Sequence, residues 1–148
     1  LTLDRKRLTT LSAVSLASLV TVTYRHKTEN QIPPTSGTMI YKICTKDQWD
    51  TATENKRFEG APIDLQDGYI HFSTSEQVAA TAAKHFAGQS SLLLLAIDES
   101  KLNDKLKWEP ARGGDLFPHL YDVLKVEDVV SVMDMPLDAD GQHQIPEF

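Results

Sequence analysis

Three short segments carry the residues able to do chemistry: Tyr69-Ile70-His71-Phe72-Ser73-Thr74, Trp108-Glu109-Pro110-Ala111-Arg112-Gly113-Gly114-Asp115 and Phe117-Pro118-His119-Leu120-Tyr121. In the first, strand alternation sets His71 and Ser73 on the face opposite Ile70 and Phe72, so a core that takes the apolar pair turns the polar pair outward. The strand runs into a helix start at Ser73-Thr74, where free amides and the positive dipole end favour a phosphate or carboxylate. The same residues also fit a hydrogen-bonded structural histidine followed by two caps, and both readings stay open. In the second segment Trp108 and Glu109 point to opposite sides of a strand end. Arg112 and Gly113-Gly114 then offer a guanidinium fork and a close backbone approach to a phosphate or carboxylate, with Glu109 as a general base or a ribose anchor. A surface Arg–Glu pair over a tight turn is the competing reading. In the third, Phe117 and Tyr121 make walls for a flat ligand and His119 can donate or accept a proton; a Pro-led turn docked on the core is the alternative.

Other chemistries find little support in the residue pattern. His71, Glu109 and His119 could converge on a metal, yet there is no His-x-x-x-His and no cysteine pair, so no metal is expected. Phosphate-loop, dinucleotide and nucleophile-elbow fingerprints are absent. His85 falls late in a helix, where it opposes the negative dipole end in a structural role.

These segments need elements to hold them. Met39–Cys44 reads as a first strand, and Thr45-Lys46-Asp47-Gln48 as a capping box that starts a helix over about Lys46–Glu54. Gly60 to Gly68 reads as loop, and Tyr69–Phe72 as a compact strand. Ser73 with Glu76 and Thr74 with Gln77 form overlapping capping boxes, predicting a helix to about Ala87 closed by Gly88. Leu92–Ile97 is a continuous apolar run, as in a central strand buried on both faces. Leu106–Glu109 is a short strand, Pro110–Pro118 a loop, Val126–Asp128 a turn and Val129–Met135 a last strand. Two helices among several strands make a compact α+β domain over residues 39–136, followed by a polar tail, 137–148.

Charge divides the chain. Residues 1–38 hold five Lys/Arg against two acids, a net +3 within a total of −6, so the remaining 110 residues stand at −9. An acidic body disfavours DNA and makes RNA a poor partner, because both require a basic face. Cys44 is the single cysteine, which fits a reducing, cytoplasmic setting. Residues 8–24 lack charge behind Arg5-Lys6-Arg7, but seven of the seventeen are Ser or Thr and the run is shorter than the roughly 20 apolar residues that span a bilayer. The expectation is an extension upstream of a functional start at Met39 and outside the fold. A targeting segment is the alternative, and no membrane role is expected of the globular body.

Taken in order, Asp67-Gly68-Tyr69-Ile70-His71-Phe72-Ser73-Thr74-Ser75-Glu76-Gln77-Val78, the Leu92–Asp98 strand, Leu106-Lys107-Trp108-Glu109-Pro110 and Phe117-Pro118-His119-Leu120-Tyr121 resemble domain-of-unknown-function family 952 over about residues 39 to 135. The resemblance implies a small split antiparallel or mixed β-sheet with two helices, similar to the ADP-ribosyltransferase fold, whose active relatives grip NAD. Ser73-Thr74-Ser75 looks like the middle-strand element of such sites. The first strand has Tyr41 and Lys42 where relatives have Arg or His, and Glu109 stands in for a late acidic motif that is missing.

Two functions follow as expectations. In the first, an NAD-dependent ADP-ribosyl or related glycosyl transferase, His71, Glu109 and His119 handle protons or orient a ribose hydroxyl. Tyr69, Ser73, Thr74, Trp108, Arg112, Phe117 and Tyr121 bind the ligand. The second is a non-catalytic module that holds a small anionic metabolite or nucleotide with the same residues.

Overall fold

The computed structural model describes residues 38–148, so the expected N-terminal extension falls almost wholly outside the described residues. β1 (Met39–Thr45) pairs antiparallel with β4 (Leu92–Asp98), which pairs on its other side with β8 (Val129–Met135). The apolar run Leu92–Ile97 is thus the central strand, and it is buried on both faces because each face meets its own cluster. Leu93, Leu95 and Ile97 join Ile40, Cys44, Trp49, Phe58, Ile70, Phe72, Leu120 and Leu124 on one side. On the other, Leu92, Leu94 and Ala96 join Tyr41, Ile43, Val78, Ala82 and Met135.

Two smaller sheets complete an α+β domain. β2 (Arg57–Phe58) pairs with β7 (Leu124–Lys125), and β3 (Ile70–His71), β6 (Leu116–Leu120) and β5 (Leu106–Pro110) form a three-stranded antiparallel sheet with β6 in the middle. Tyr41 and Ser73 exchange two backbone hydrogen bonds of 2.8 Å, joining the outer edge of β1 to the chain just after β3.

Among the described residues three α-helices connect the strands. α1 (Lys46–Asn55) starts on the expected capping box: the Gln48 amide donates to Thr45 Oγ1 at 3.1 Å and the Thr45 amide donates to Gln48 Oε1 at 2.9 Å. α2 (Pro62–Asp67) lies where the sequence reads as loop. Its single turn and a half has Pro at the start, whose missing N–H costs nothing there, and Gly68 at φ 86° as a left-handed cap donating to the Asp64 carbonyl. α3 (Val78–His85) is shorter at both ends than the capping boxes suggest. Ser73 is committed to the bridge with Tyr41, and Thr74 uses Gln77 in a separate turn, its amide donating to Gln77 Oε1 and its carbonyl accepting from Val78.

The expected loop over residues 110–118 is a hairpin: Leu116–Leu120 is strand, with the turn confined to residues 111–115. Pro118 explains the misreading, since proline is disfavoured in a central strand. The Phe72 amide donates to the Pro118 carbonyl at 3.0 Å, but Pro118 has no N–H to return, so pairing with β3 stops after two residues. After β8 the chain folds back along the body, with a Leu137–His143 bridge, Ile145 against the second apolar cluster and Phe148 with its ring 4.4 Å from that of Tyr41. Among the described residues no helix is long and apolar enough to cross a membrane.

One glycine ties the fold to the site. Gly60 sits at φ 127°, and a Cβ there would lie 2.8 Å from Asp64 Cβ. Gly60→Ala is therefore expected to destabilise the domain by about 1–3 kcal/mol through backbone strain and displacement of Asp64; urea unfolding monitored by circular dichroism checks this.

Candidate functional site

Lys42 alternates with Ile40 and Cys44 and so faces the first apolar cluster, opposite Leu95, with 4% of its surface exposed. An ammonium there requires a partner, and α2 delivers one: Asp64, also buried, lies 2.7 Å (Oδ2) and 3.0 Å (Oδ1) from Lys42 Nζ. Asp64 Oδ2 also accepts from the Ala61 amide at 2.7 Å. Oδ1 accepts from the His71 amide at 3.1 Å, on the side of β3 not paired with β6. The ring then joins the same carboxylate, His71 Nδ1 lying 2.6 Å from Asp64 Oδ1, while Nε2 lies 3.0 Å from Asp67 Oδ2. Burial by itself would raise the Asp64 pKa. The hydrogen bond from His71, the Lys42 charge and the Ala61 amide outweigh it and bring the group down to about 2.

Register puts the remaining groups on one face. His71 stands opposite His119, and His119 opposite Lys107, while Glu109 faces Phe117. Their partners in the alternation, Ile70, Leu120 and Leu106, point the other way into the core. On this outer face Tyr69 stacks on His119 with ring centroids 4.3 Å apart, and lies 4.8 Å from His71 and 5.0 Å from Tyr121. The two imidazoles meet edge to face at 5.4 Å. His119 repeats the arrangement of His71, with Nδ1 3.1 Å from Glu109 Oε1, an oxygen that also accepts from the Tyr121 hydroxyl at 2.7 Å. The Tyr121 and His119 hydrogen bonds hold Glu109 below the ordinary carboxylate value, and the same bond pushes the Tyr121 phenol up to about 12. Burial, then the Asp67 and Glu109 charges, raise the Tyr69 phenol.

Of the residues singled out from sequence, Tyr69, His71, Glu109, Phe117, His119 and Tyr121 share this face. Ser73 does not: it is buried, its hydroxyl 3.1 Å from that of Thr81 on α3. Thr74 is occupied in the turn before α3. Trp108 points to the opposite face and donates its indole N–H to Glu99 at 3.2 Å. Arg112 is exposed in the β5–β6 turn. Lys42, Asp64 and Asp67 were not singled out. The signal for the acids was Pro62 followed by Asp64 and closed by Gly68, a minimal helix pattern. Cys44 is buried in the core, and burial pushes its thiol up to about 12, away from nucleophilic use. Among the described residues no cluster of three or more His, Cys, Asp or Glu side chains is placed to hold a metal ion.

Comparison with known proteins agrees with this geometry in fold and is silent on activity. The model of a family described as "protein of unknown function (DUF952)" matches residues 43–132. The chain is similar to protein CC0527 from Caulobacter crescentus: its crystal structure is 51% identical, aligned over 72% of this chain and 94% of that one, with a TM-score of 0.70. The solution NMR structure of the same protein, also 51% identical, aligns over 72% of this chain and 91% of that one, with a TM-score of 0.66. No curated protein matches.

Asp64 couples the site to acid stability. Its pKa is about 2 in the fold against an ordinary 3.8, so between these values the unfolded chain binds more protons and stability rises with pH. The resulting contribution, about 2 kcal/mol at neutral pH, is expected to disappear as pH falls from about 4 to 2. Urea midpoints measured across that window should fall steeply for the native chain and less steeply for Asp64→Asn.

Proposed function

This chain belongs to the DUF952 family, and we propose that it binds an NAD- or ADP-ribose-type nucleotide on the outer face of the β3-β6-β5 sheet and transfers an ADP-ribosyl or related glycosyl group. The observation that carries the reading is the pair of histidines on one sheet face, each with Nδ1 against a carboxylate and both flanked by tyrosine rings. Breaking a nicotinamide–ribose bond develops oxocarbenium-like positive charge at the sugar. Glu109, held ionised, suits that charge or a ribose hydroxyl, while His71 and His119 take and return protons. Tyr69, Tyr121 and Phe117 offer ring surfaces to the ligand. Lys107 on the same face and Arg112 at the hairpin turn supply cations for the pyrophosphate.

Two further features support the reading. The edge-to-edge bridge between Tyr41 and Ser73 joins two three-stranded sheets, which is the kind of split sheet that an ADP-ribosyltransferase-like reading calls for. Asp67 and Glu109 also give the centre of the face an acidic character that suits a cationic nicotinamide ring. Lys42 departs from the first-strand residue of active relatives, being spent on Asp64 inside the core.

Calorimetric titration with NAD and with ADP-ribose at millimolar concentration is the test, joined to an assay of nicotinamide release. Binding is expected, lost in a His119→Gln variant that circular dichroism shows to be folded, with release slowed about 10²–10³-fold in Glu109→Gln. No heat with either nucleotide, together with no release, overturns the proposal.

A further inference from the structure

We propose that Asp64 is a positioning residue that fixes His71 as the Nδ1–H tautomer, which makes Nε2 the nitrogen that meets a ligand and Asp67 the holder of the ligand's place. The inference deepens the functional reading above and rests on it only for the claim that a ligand arrives.

Both ring nitrogens face carboxylates, and what separates them is that Asp64 is buried and fixed while Asp67 is a third exposed and can yield its place to water or a ligand. Asp64 Oδ2 takes Lys42 Nζ and the Ala61 amide, and Oδ1 takes Lys42 Nζ and the His71 amide. An ammonium and two backbone amides can only donate, so both oxygens are already acceptors when the imidazole approaches. His71 Nδ1, at 2.6 Å from Oδ1, therefore brings a hydrogen to that contact. The carboxylate is itself fixed by α2 and the buried ammonium, so the ring is clamped in orientation as well as in tautomer. A second carboxylate orienting a histidine is present at Glu109, but that side chain is 37% exposed and the Asp64 side chain 1%, so only His71 is held from inside the core.

With Nδ1 committed, Nε2 alone can change its role. Unprotonated, it accepts from a ligand hydroxyl. When the O–H bond breaks and the N–H bond forms, the electron pair stays on the ligand oxygen and the new N–H has Asp67 Oδ2, 3.0 Å away, to donate to. Asp67 is a third exposed, at the last position of α2 before the left-handed Gly68, and a ligand oxygen entering at Nε2 displaces it.

Long-range proton–nitrogen NMR correlation on the 15N-labelled full chain reads this directly. In its neutral form the His71 ring is expected to show a protonated Nδ1 and an unprotonated Nε2, the reverse of what free histidine prefers in water, with exposed His85 as the internal control. A protonated Nε2, or a mixture like that of His85, overturns the inference. In the Lys42→Met/Asp64→Leu double variant, which removes both charges together, His71 is expected to revert to the Nε2–H form. Retention of Nδ1–H in that folded variant also overturns it. If the variant does not fold, the native spectrum decides alone. Nucleotide titration separates the two proposals: Nδ1–H without binding removes the function and leaves the positioning role, whereas binding with Nε2–H does the opposite.

Discussion

An ammonium inside an apolar core is the constraint around which the rest of this domain is arranged. Lys42 stands on β1 among side chains that exclude water, and taking a charge out of water costs several kcal/mol unless partners replace the solvent. Asp64 replaces it on Lys42's side, and Lys42, two backbone amides and His71 replace it on Asp64's. The pair thereby joins β1, the start of α2 and β3. A helix of six residues has little stability of its own, and α2 is held in place by this carboxylate.

From that anchor the chemistry runs outward. The chain of contacts goes from the buried ammonium to a buried carboxylate, a half-buried imidazole and an exposed carboxylate, so polarity rises with access to solvent. His119, Glu109 and Tyr121 build the complementary half on the neighbouring strands, and Tyr69 fills the space between by stacking on one histidine and tilting against the other. One half is rigid because its carboxylate is buried, and the other is adaptable because its carboxylate is not.

Much of this was legible beforehand where the signal is local. The capping box at Thr45, the buried run in β4 and the alternation that turns His71 away from Ile70 and Phe72 follow from residue order alone. Local signals misled where a residue had a stronger long-range use. Ser73 reads as a cap and is taken by its bridge to Tyr41, and Pro118 reads as a turn and sits in a central strand. Asp64 and Asp67 read as loop acids, because six residues are too few to show helical periodicity.

The amino-acid sequence by itself determined the family, the α+β class and the identity of most groups on the outer face, since each depends on residue type and on spacings of a few positions. Only the tertiary structure decided what those groups are to one another. His71 meets His119 because β3 pairs with β6 in one register, and a slip of β3 by a single residue would turn His71 into the core while His119, held by β5, stayed on the outer face. Lys42 is the counter-charge of Asp64, because burial, which no local pattern records, leaves an ammonium no other partner.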